Sequence, residues 1–550
     1  MDERFDIVVV GAGSAGCVLA NRLSIDPAVR VLLLEAGGGD RHPLIAAPLA
    51  WTTVQFIERF GWGYVTEPEA ELDGRVLPQP RGRLLGGTSS INGMMYTRGN
   101  AADYDTWSSM GLAGWSYAEV LPYFRRSETS WRGAGAYHGG SGPLSVTANP
   151  PDPFLTPRML QAAERLGFRA NDDFNGAEQA GFGIPDFTVS RGRRHSTSKA
   201  FLDPVRSRPN LTVRTGALTT RVLIGQGRAT GVEYLQDGAR KRVNAGEVIV
   251  AGGAFASPQI LMLSGIGPAD QLRSVGVEPS VNVPGVGQNL QDHPLMPAVY
   301  EASGPYAFHE DLRLDRLAWA GLQWSLAGAG PLGRMPIGIQ GFLSRNPGRT
   351  QPDTQFQISA VSMAARPWFP GWRSSAGHHF TAAAMQLQPH GRGDVRLRSS
   401  DPKDAPRIRL GLFQHEVDRQ AARDMVRFIR EFFATEPVAG LVRQELLPGP
   451  GVKSDEAIDS MIRAVIQTGM HPTGTCAMGL GDQSVVDAEL KVRGVVGLRV
   501  VDASVMPNVV SGNTNAPVIM IAEKASDMIL GRTPEPAQAL TTTTKKAVPA

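Results

Sequence analysis

Cysteine is nearly absent. Cys17 and Cys476 are the only two in 550 residues, which excludes a disulfide scaffold and an all-cysteine metal site. A surplus of one charge sign is missing as well. The 55 basic and 52 acidic residues leave a net charge of +3, so nothing argues for nucleic acid or another polyanion as partner. Only 8 of the basic residues are lysines; arginine is spread along the whole chain and marks a compositional bias rather than a site. No apolar run approaches the roughly 18 residues that a spanning helix needs. The opening MDERFDIVVVGAG has no basic region followed by an apolar one, so no secretion signal is read there. Together these absences read as a cytoplasmic protein, with contact at a membrane surface left open. CxxC, HExxH and GxSxG do not occur, so the expectation is no metal and no serine-hydrolase chemistry.

What is present is a globular composition, 42% hydrophobic and 19% charged, with 63 Gly and 40 Pro that point to many tight turns. The length suggests two packed units in an α/β enzyme. The first unit announces itself at once. FDIVVV (5–10) reads as a buried β-branched strand, Gly11-Ala12-Gly13-Ser14-Ala15-Gly16 as a turn, CVLANRLS as a helix, and VRVLLLEAG as a second buried strand ending at Glu35. In that order the residues have a mechanical meaning. Gly11 permits the tight turn, Gly13 lets backbone N–H groups approach a pyrophosphate, and Gly16 lets the helix pack on the strand. The helix N-terminus offers unpaired N–H groups and a positive dipole end, and Glu35 can accept from a ribose diol. The ligand is an adenine dinucleotide; this unit by itself does not separate NAD from FAD.

Further along, 78–99 (PQPRGRLLGGTSSINGMMYTRG) is rich in Gly, Ser and Thr and can present a nest of backbone N–H groups. Residues 210–250 read as short strands, and GEVIVAGG leads into the helix FASPQILMLSGIGP. DTQFQIS, HHFTAAAMQLQP, GDVRLRSS and PRIRLGL read as antiparallel strands, while HEVDRQAARDMVRFIREFFAT and SDEAIDSMIRAVIQTG read as amphipathic helices. VVDAEL and GLRVVDASVMP return to strand texture before a last helix around APVIMIAEKASDMIL. The expected organisation is a discontinuous dinucleotide-binding domain (1–150, 190–310 and 466–532), an α+β substrate domain (151–189 and 311–465) and a disordered tail (533–550).

Four segments together resemble the glucose-methanol-choline (GMC) oxidoreductases, in the choline-dehydrogenase-like branch. They are GAGSAGCVLANRLS with LEAG, GRLLGGTSSINGMMYTRG, GAFASPQILMLSGIGP, and HPTGTCAMG with VVDASVMPNVVSGNTNAPVIMIAEKASDMI. The resemblance implies FAD on a Rossmann-like domain. It implies that Gly11, Gly13, Gly16 and Glu35 hold the ADP part, that Ser14, Ala15 and Ala36 also bind the cofactor, and that the strand carrying Val222 meets the adenine through its backbone. It places Gly87, Thr88, Asn92, Gly93 and Met94 beside the pyrophosphate and isoalloxazine and Asp502 and Ala503 at the ribityl–phosphate region, and it counts Asn513 and Thr514 among the cofactor-binding residues. Asp502 also suits a helix N-cap, because ASVMP follows. Some members tether FAD to a histidine in the segment matching 88–93; this chain has none there, so the FAD is expected to be noncovalent.

Alcohol oxidation removes a hydride, accepted by flavin N5, and a hydroxyl proton, whose acceptor should titrate near neutrality. His471 in HPTGTCAMG stands at the family's catalytic histidine and is assigned as general base. Asn513 aligns with the family's second catalytic residue and would hydrogen-bond the substrate oxygen; spacing alone does not separate it from Asn515. His293 reads as structural or flavin-adjacent, and His378 and His379 as a poor metal pair. Trp62, Met94, Phe356 and Gln357 are the expected pocket wall. The partners implied are a small alcohol and an electron acceptor, O2 or a quinone, with oligomerisation open. Hydroxynitrile-lyase-like or photodecarboxylase activity on the same scaffold is the alternative. A choline substrate would call for aromatic faces and a carboxylate around its ammonium, and no specific acid is assigned to that role.

Overall fold

Val8, Val9 and Val10 are buried on both sides of their strand, as β-branched residues are in the middle of a parallel sheet. In the computed structural model, which describes residues 3–306, 308–345, 351–362 and 365–538, the strand Arg4–Val10 runs parallel to both neighbours. Val10 is opposite Val250 on one side and Leu34 on the other. The seven-stranded sheet has the order Leu218–Gly225, Arg228–Gln236, Ala239–Val250, Arg4–Val10, Val31–Leu34, Leu211–Arg214, and Leu498–Val500 adds parallel to Ala239–Val250. The first three of these strands form an antiparallel meander; the others are parallel.

The glycine turn is fixed by contact. Gly11 has φ +101°, and a Cβ there would lie 2.6 Å from the Ala251 carbonyl oxygen. A Cβ on Gly16 would lie 1.8 Å from the Gly11 carbonyl oxygen, so the helix Ser14–Leu23 can sit on the strand only with hydrogen at that position. This helix packs on Asn515–Ile529, which is buried along almost its whole length. Glu523 is fully buried within it and accepts from Arg22 at 2.7 Å and from Arg126 at 2.9 Å, joining three helices.

A second seven-stranded sheet is antiparallel throughout, in the order Val442–Leu447, Pro294–Ala302, His379–Gln386, Thr354–Ser359, Ile337–Leu343, Gly181–Gly183, with Gln467–Thr468 paired to Pro294–Ala302. One face carries Ala298, Tyr300, Phe356, Ile358 and Phe380 and is covered by the amphipathic helix Glu416–Ala434 through Phe428, Phe432 and Phe433. The other face roofs a cavity. Pro294–Ala302 pairs into this roof sheet, so we place the proposed divide between the cofactor unit and the roof before residue 294 rather than at 310.

The strands expected in 354–410 and the helices expected around 253, 416, 455 and 515 are present. VVDAEL, in contrast, is a loop touched by isolated bridges at Val486. Of the tail, 533–538 lies against the helix Tyr117–Ser127, where the Gln538 N–H donates to the Ala118 carbonyl; 539–550 lie outside the described residues. Among the described residues no helix is long and apolar enough to cross a membrane.

The close approach at Gly16 gives a stability test. Gly16→Ala is expected to cost about 1–3 kcal/mol through overpacking, read as a lower urea midpoint; an unchanged midpoint would mean that helix and turn are not in contact.

Candidate active site

A cavity of about 1400 Å³ lies between the first sheet and the roof. One end is lined by Gly11, Gly13, Ser14, Ala15, Glu35 and Ala36, and the other by His471, Asn513 and Thr514. Gly87, Thr88, Asn92, Gly93, Met94, Asp502 and Ala503 also line it, as do Trp62 and Gln357.

The dinucleotide end is built for an anion flanked by a sugar. A Cβ on Gly13 would meet nothing within 4 Å, which leaves room for a ligand against that backbone. Gly87 presses on Gly13 from behind, since a Cβ there would lie 2.7 Å from the Gly13 Cα. Glu35 accepts from the Ala12 N–H at 3.0 Å and the Gly37 N–H at 2.8 Å. Burial pushes its carboxyl up to about 7 against those two bonds, and a ribose diol would supply donors to the lone pairs that remain. These residues fit an extended dinucleotide. Asp502 behaves differently from the expectation of a free sugar acceptor. Its carboxylate accepts from Gly253 N, Ser257 Oγ, Ser504 N and Ser504 Oγ, so it caps Ala503–Val505 and anchors the helix Gly253–Leu263.

Two of the expected contacts fall away from the cavity. Val222 is not among the cavity residues; its N–H donates to Ser264 Oγ at 2.8 Å, and the same strand region meets the cavity through Ala217, Leu218 and Thr219. Phe356 points to the opposite side of its strand, where its ring lies 5.2 Å from both Phe428 and Phe432. Strand alternation is the reason: Gln355 and Gln357 share one face and Phe356 takes the other.

At the other end the two backbone segments that carry the histidines run side by side. Gln291 and Thr473 exchange N–H···O bonds at 3.1 and 2.9 Å, and the Gly469 N–H donates to the His293 carbonyl. Asp292 Oδ1 accepts both the His293 and the His471 N–H at 2.8 Å. The helix Gly253–Leu263 contains Pro258, which has no N–H for the Ala254 carbonyl. Thr475 Oγ1 fills that vacancy at 2.6 Å, so the His471 segment is tied to the helix beside the glycine turn.

His471 is held at both ring nitrogens. Asn513 Nδ2 donates to Nε2 at 3.0 Å, and Nδ1 lies 3.0 Å from His293 Nδ1. The Asn513 amide is oriented by its oxygen, which accepts from Gln355 Nε2 at 3.2 Å and Thr97 Oγ1 at 3.4 Å. With Nε2 accepting, the proton of a neutral His471 ring is on Nδ1 and donates to His293. Burial, then His293 and Arg81, hold the His471 pKa well below the ordinary histidine value. Burial lowers His293 to about 4. Asn515 is spoken for elsewhere: Ser14 Oγ donates to its Oδ1 at 2.7 Å. The geometry therefore brings Asn513, not Asn515, to the imidazole.

Four residues at this end carried no role in the sequence reading. Arg81 lines the cavity and donates to the Met470 carbonyl at 2.9 Å. Asp292, Gln355 and Thr97 orient the two site residues. Gln355 alone had a usable signal, its two-residue spacing from Gln357.

Compared with known proteins, the chain matches the GMC oxidoreductase family over residues 5–295 and again over 389–522. It is 44% identical over 542 residues to the mitochondrial choline dehydrogenase of Mus musculus, covering 96% of this chain and 90% of that protein. It is 41% identical over 532 residues to the oxygen-dependent choline dehydrogenase of Rhizobium etli, covering 96% of each. Among solved structures, an Aspergillus oryzae formate oxidase variant studied for its FAD modification superposes with a TM-score of 0.89 at 29% identity, over 96% of this chain and 99% of that one.

The depressed His293 pKa carries a pH signature. Between the unfolded value near 6.5 and the folded value of about 4, the unfolded chain binds a proton that the folded chain does not. Stability from this group is therefore complete above about pH 6.5 and falls as pH falls, by about 2 kcal/mol by pH 5. His293→Gln should show a shallower loss of the urea midpoint over that range than the parent; parallel curves would mean that His293 is not held neutral.

Proposed function

The chain belongs to the GMC oxidoreductases, FAD-dependent enzymes acting on CH–OH donors, and from that premise we propose that it oxidises an alcohol to an aldehyde or ketone with His471 as general base. FAD held at the glycine turn by Gly11, Gly13 and Glu35 would supply the acceptor for the hydride of the substrate carbon. His471 takes the hydroxyl proton on Nε2, where the substrate hydroxyl displaces the hydrogen bond accepted from Asn513 Nδ2. The second N–H of the Asn513 amide is directed to the substrate oxygen, where negative charge develops as the proton leaves. His293 accepts from Nδ1–H and so keeps the base in one tautomer. The roof residues Leu295, Pro297, Met385 and Gln357 line the cavity with His471 and Asn513. The observation that carries this reading is the His471 imidazole, buried and hydrogen-bonded at both nitrogens in the cavity that the glycine turn enters.

The FAD is bound without a covalent link in this proposal. Gly87–Met94 contains no His, Cys or Tyr, Cys17 and Cys476 are buried away from the cavity, and His471 is engaged at both nitrogens. The choline-oxidising relatives support a small primary alcohol as substrate. O2 or a quinone would take the electrons from the reduced enzyme, and mixing the reduced enzyme with each identifies the acceptor.

His471→Ala should keep the visible flavin spectrum and lose about 10²–10⁴-fold in the anaerobic rate of flavin reduction by alcohol. Asn513→Ala should lose about 10²-fold. A His471→Ala enzyme that is reduced at the parent rate contradicts the assignment. Acid precipitation should leave the yellow colour in the supernatant; a yellow pellet contradicts noncovalent binding.

A further inference from the structure

Among the described residues, the roof wall of the cavity carries no carboxylate. Among the described residues, Glu35 and Asp502 are the only carboxylates that line it. Glu35 stands at the dinucleotide turn on Ala12 and Gly37. Asp502 gives its two oxygens to four donors of the protein. Leading away from His471, the roof face presents Leu295, Met385 and Gln355, then Pro297 and Gln357, then Val299 and Ser359. Leu447, Val361, Leu312, Leu317 and Ile337 continue the wall. The next alternate residue of the strand, Glu301, is outside the cavity and paired with Arg443 and Gln444. The charges that do line this part are positive, Arg81 and Arg366.

An aromatic face could replace an acid; of the two indoles lining the cavity, Trp51 packs against the cluster of Met94, Met95 and Met335, and Trp62 is already used. Trp62 stacks on Tyr64, with ring centres 5.6 Å apart and planes 4° from parallel, and the Arg83 guanidinium lies 4.9 Å from the Trp62 ring centre. A second cation over that ring would meet the first. A quaternary ammonium brought to this wall would lose water and gain no counter-charge.

We propose that the substrate is an alcohol whose non-reacting end is uncharged and apolar, and that the roof rejects the quaternary ammonium of choline. This rests on the reading of His471 as base, and it separates this chain from the choline-oxidising relatives by the wall rather than by the reacting end.

The test uses an isosteric pair, choline and 3,3-dimethylbutan-1-ol, in which carbon replaces the charged nitrogen. With the holoenzyme under anaerobic conditions, the neutral alcohol should reduce the flavin with a kcat/KM about 100-fold above that of choline. Anaerobic calorimetry on the His471→Ala holoenzyme, where flavin reduction is slowed, should show the same preference in Kd. Gln357→Glu, which puts a carboxylate on the roof, should narrow the preference by about tenfold. Equal or better use of choline, tighter binding of choline, binding of neither alcohol, or no narrowing in Gln357→Glu overturns the proposal. If the neutral alcohol binds more tightly yet neither alcohol reduces the flavin, the wall assignment stands and the base assignment fails.

Discussion

A buried imidazole serves as a proton acceptor only while one ring nitrogen is kept free of its proton. In the mechanism proposed for this chain that condition is met by a relay of hydrogen bonds. Gln355 Nε2 donates to the Asn513 oxygen, Asn513 Nδ2 donates to His471 Nε2, and His471 Nδ1 meets His293. Each member has its direction set by the one before it. Were Asn513 turned over, its oxygen would face Nε2 and pull the proton there, and the unprotonated nitrogen would be Nδ1, facing His293. Desolvation adds to the effect, since a site closed to water disfavours the imidazolium. Arg81 presses the same way and is itself lowered to about 10 by burial.

The scaffold brings this relay to the mouth of a dinucleotide turn by chain convergence. Residues near positions 11, 87, 471 and 513 line one cavity, and the fastenings between them are polar and specific. Asp502 ties the last parallel strand to the helix after Ala251. Thr475 occupies the carbonyl that Pro258 leaves free. Ser14 holds the first residue of the last helix. Such buried, fully paired groups fix register more than they add stability, which suits a site whose function depends on two side chains meeting within hydrogen-bond distance.

Much of this was legible in the residues themselves. The strand, turn, helix and strand of 5–35 follow from β-branched runs and from glycines whose Cβ would clash, and the amphipathic helix Glu416–Ala434 follows from its apolar spacing. The pairing of His471 with Asn513 came from the family resemblance and not from spacing; Ser14, some 500 residues away, is what removes Asn515 from contention. The misplacements were of one kind. Phe356 and Val222 lie in the right strands but on the wrong side or at the wrong end, because hydrophobicity marks a strand without saying which face meets the cavity. The roof's polar row, Gln355 with Gln357, alternates with aromatic residues that pack under a helix, and only the three-dimensional register shows which set is which. Asp292 and Thr97 were invisible because a backbone-anchoring side chain has no periodicity of its own.

The protonation state of one ring carries the mechanism, and it can be read directly. In holoenzyme labelled with ¹⁵N-histidine, with His471→Gln used to assign the signal, long-range ¹⁵N–¹H correlation spectra at neutral pH report which nitrogen bears the proton. A neutral His471 ring protonated at Nδ1, with Nε2 free, is the expected result. An imidazolium, or a proton on Nε2, would contradict it.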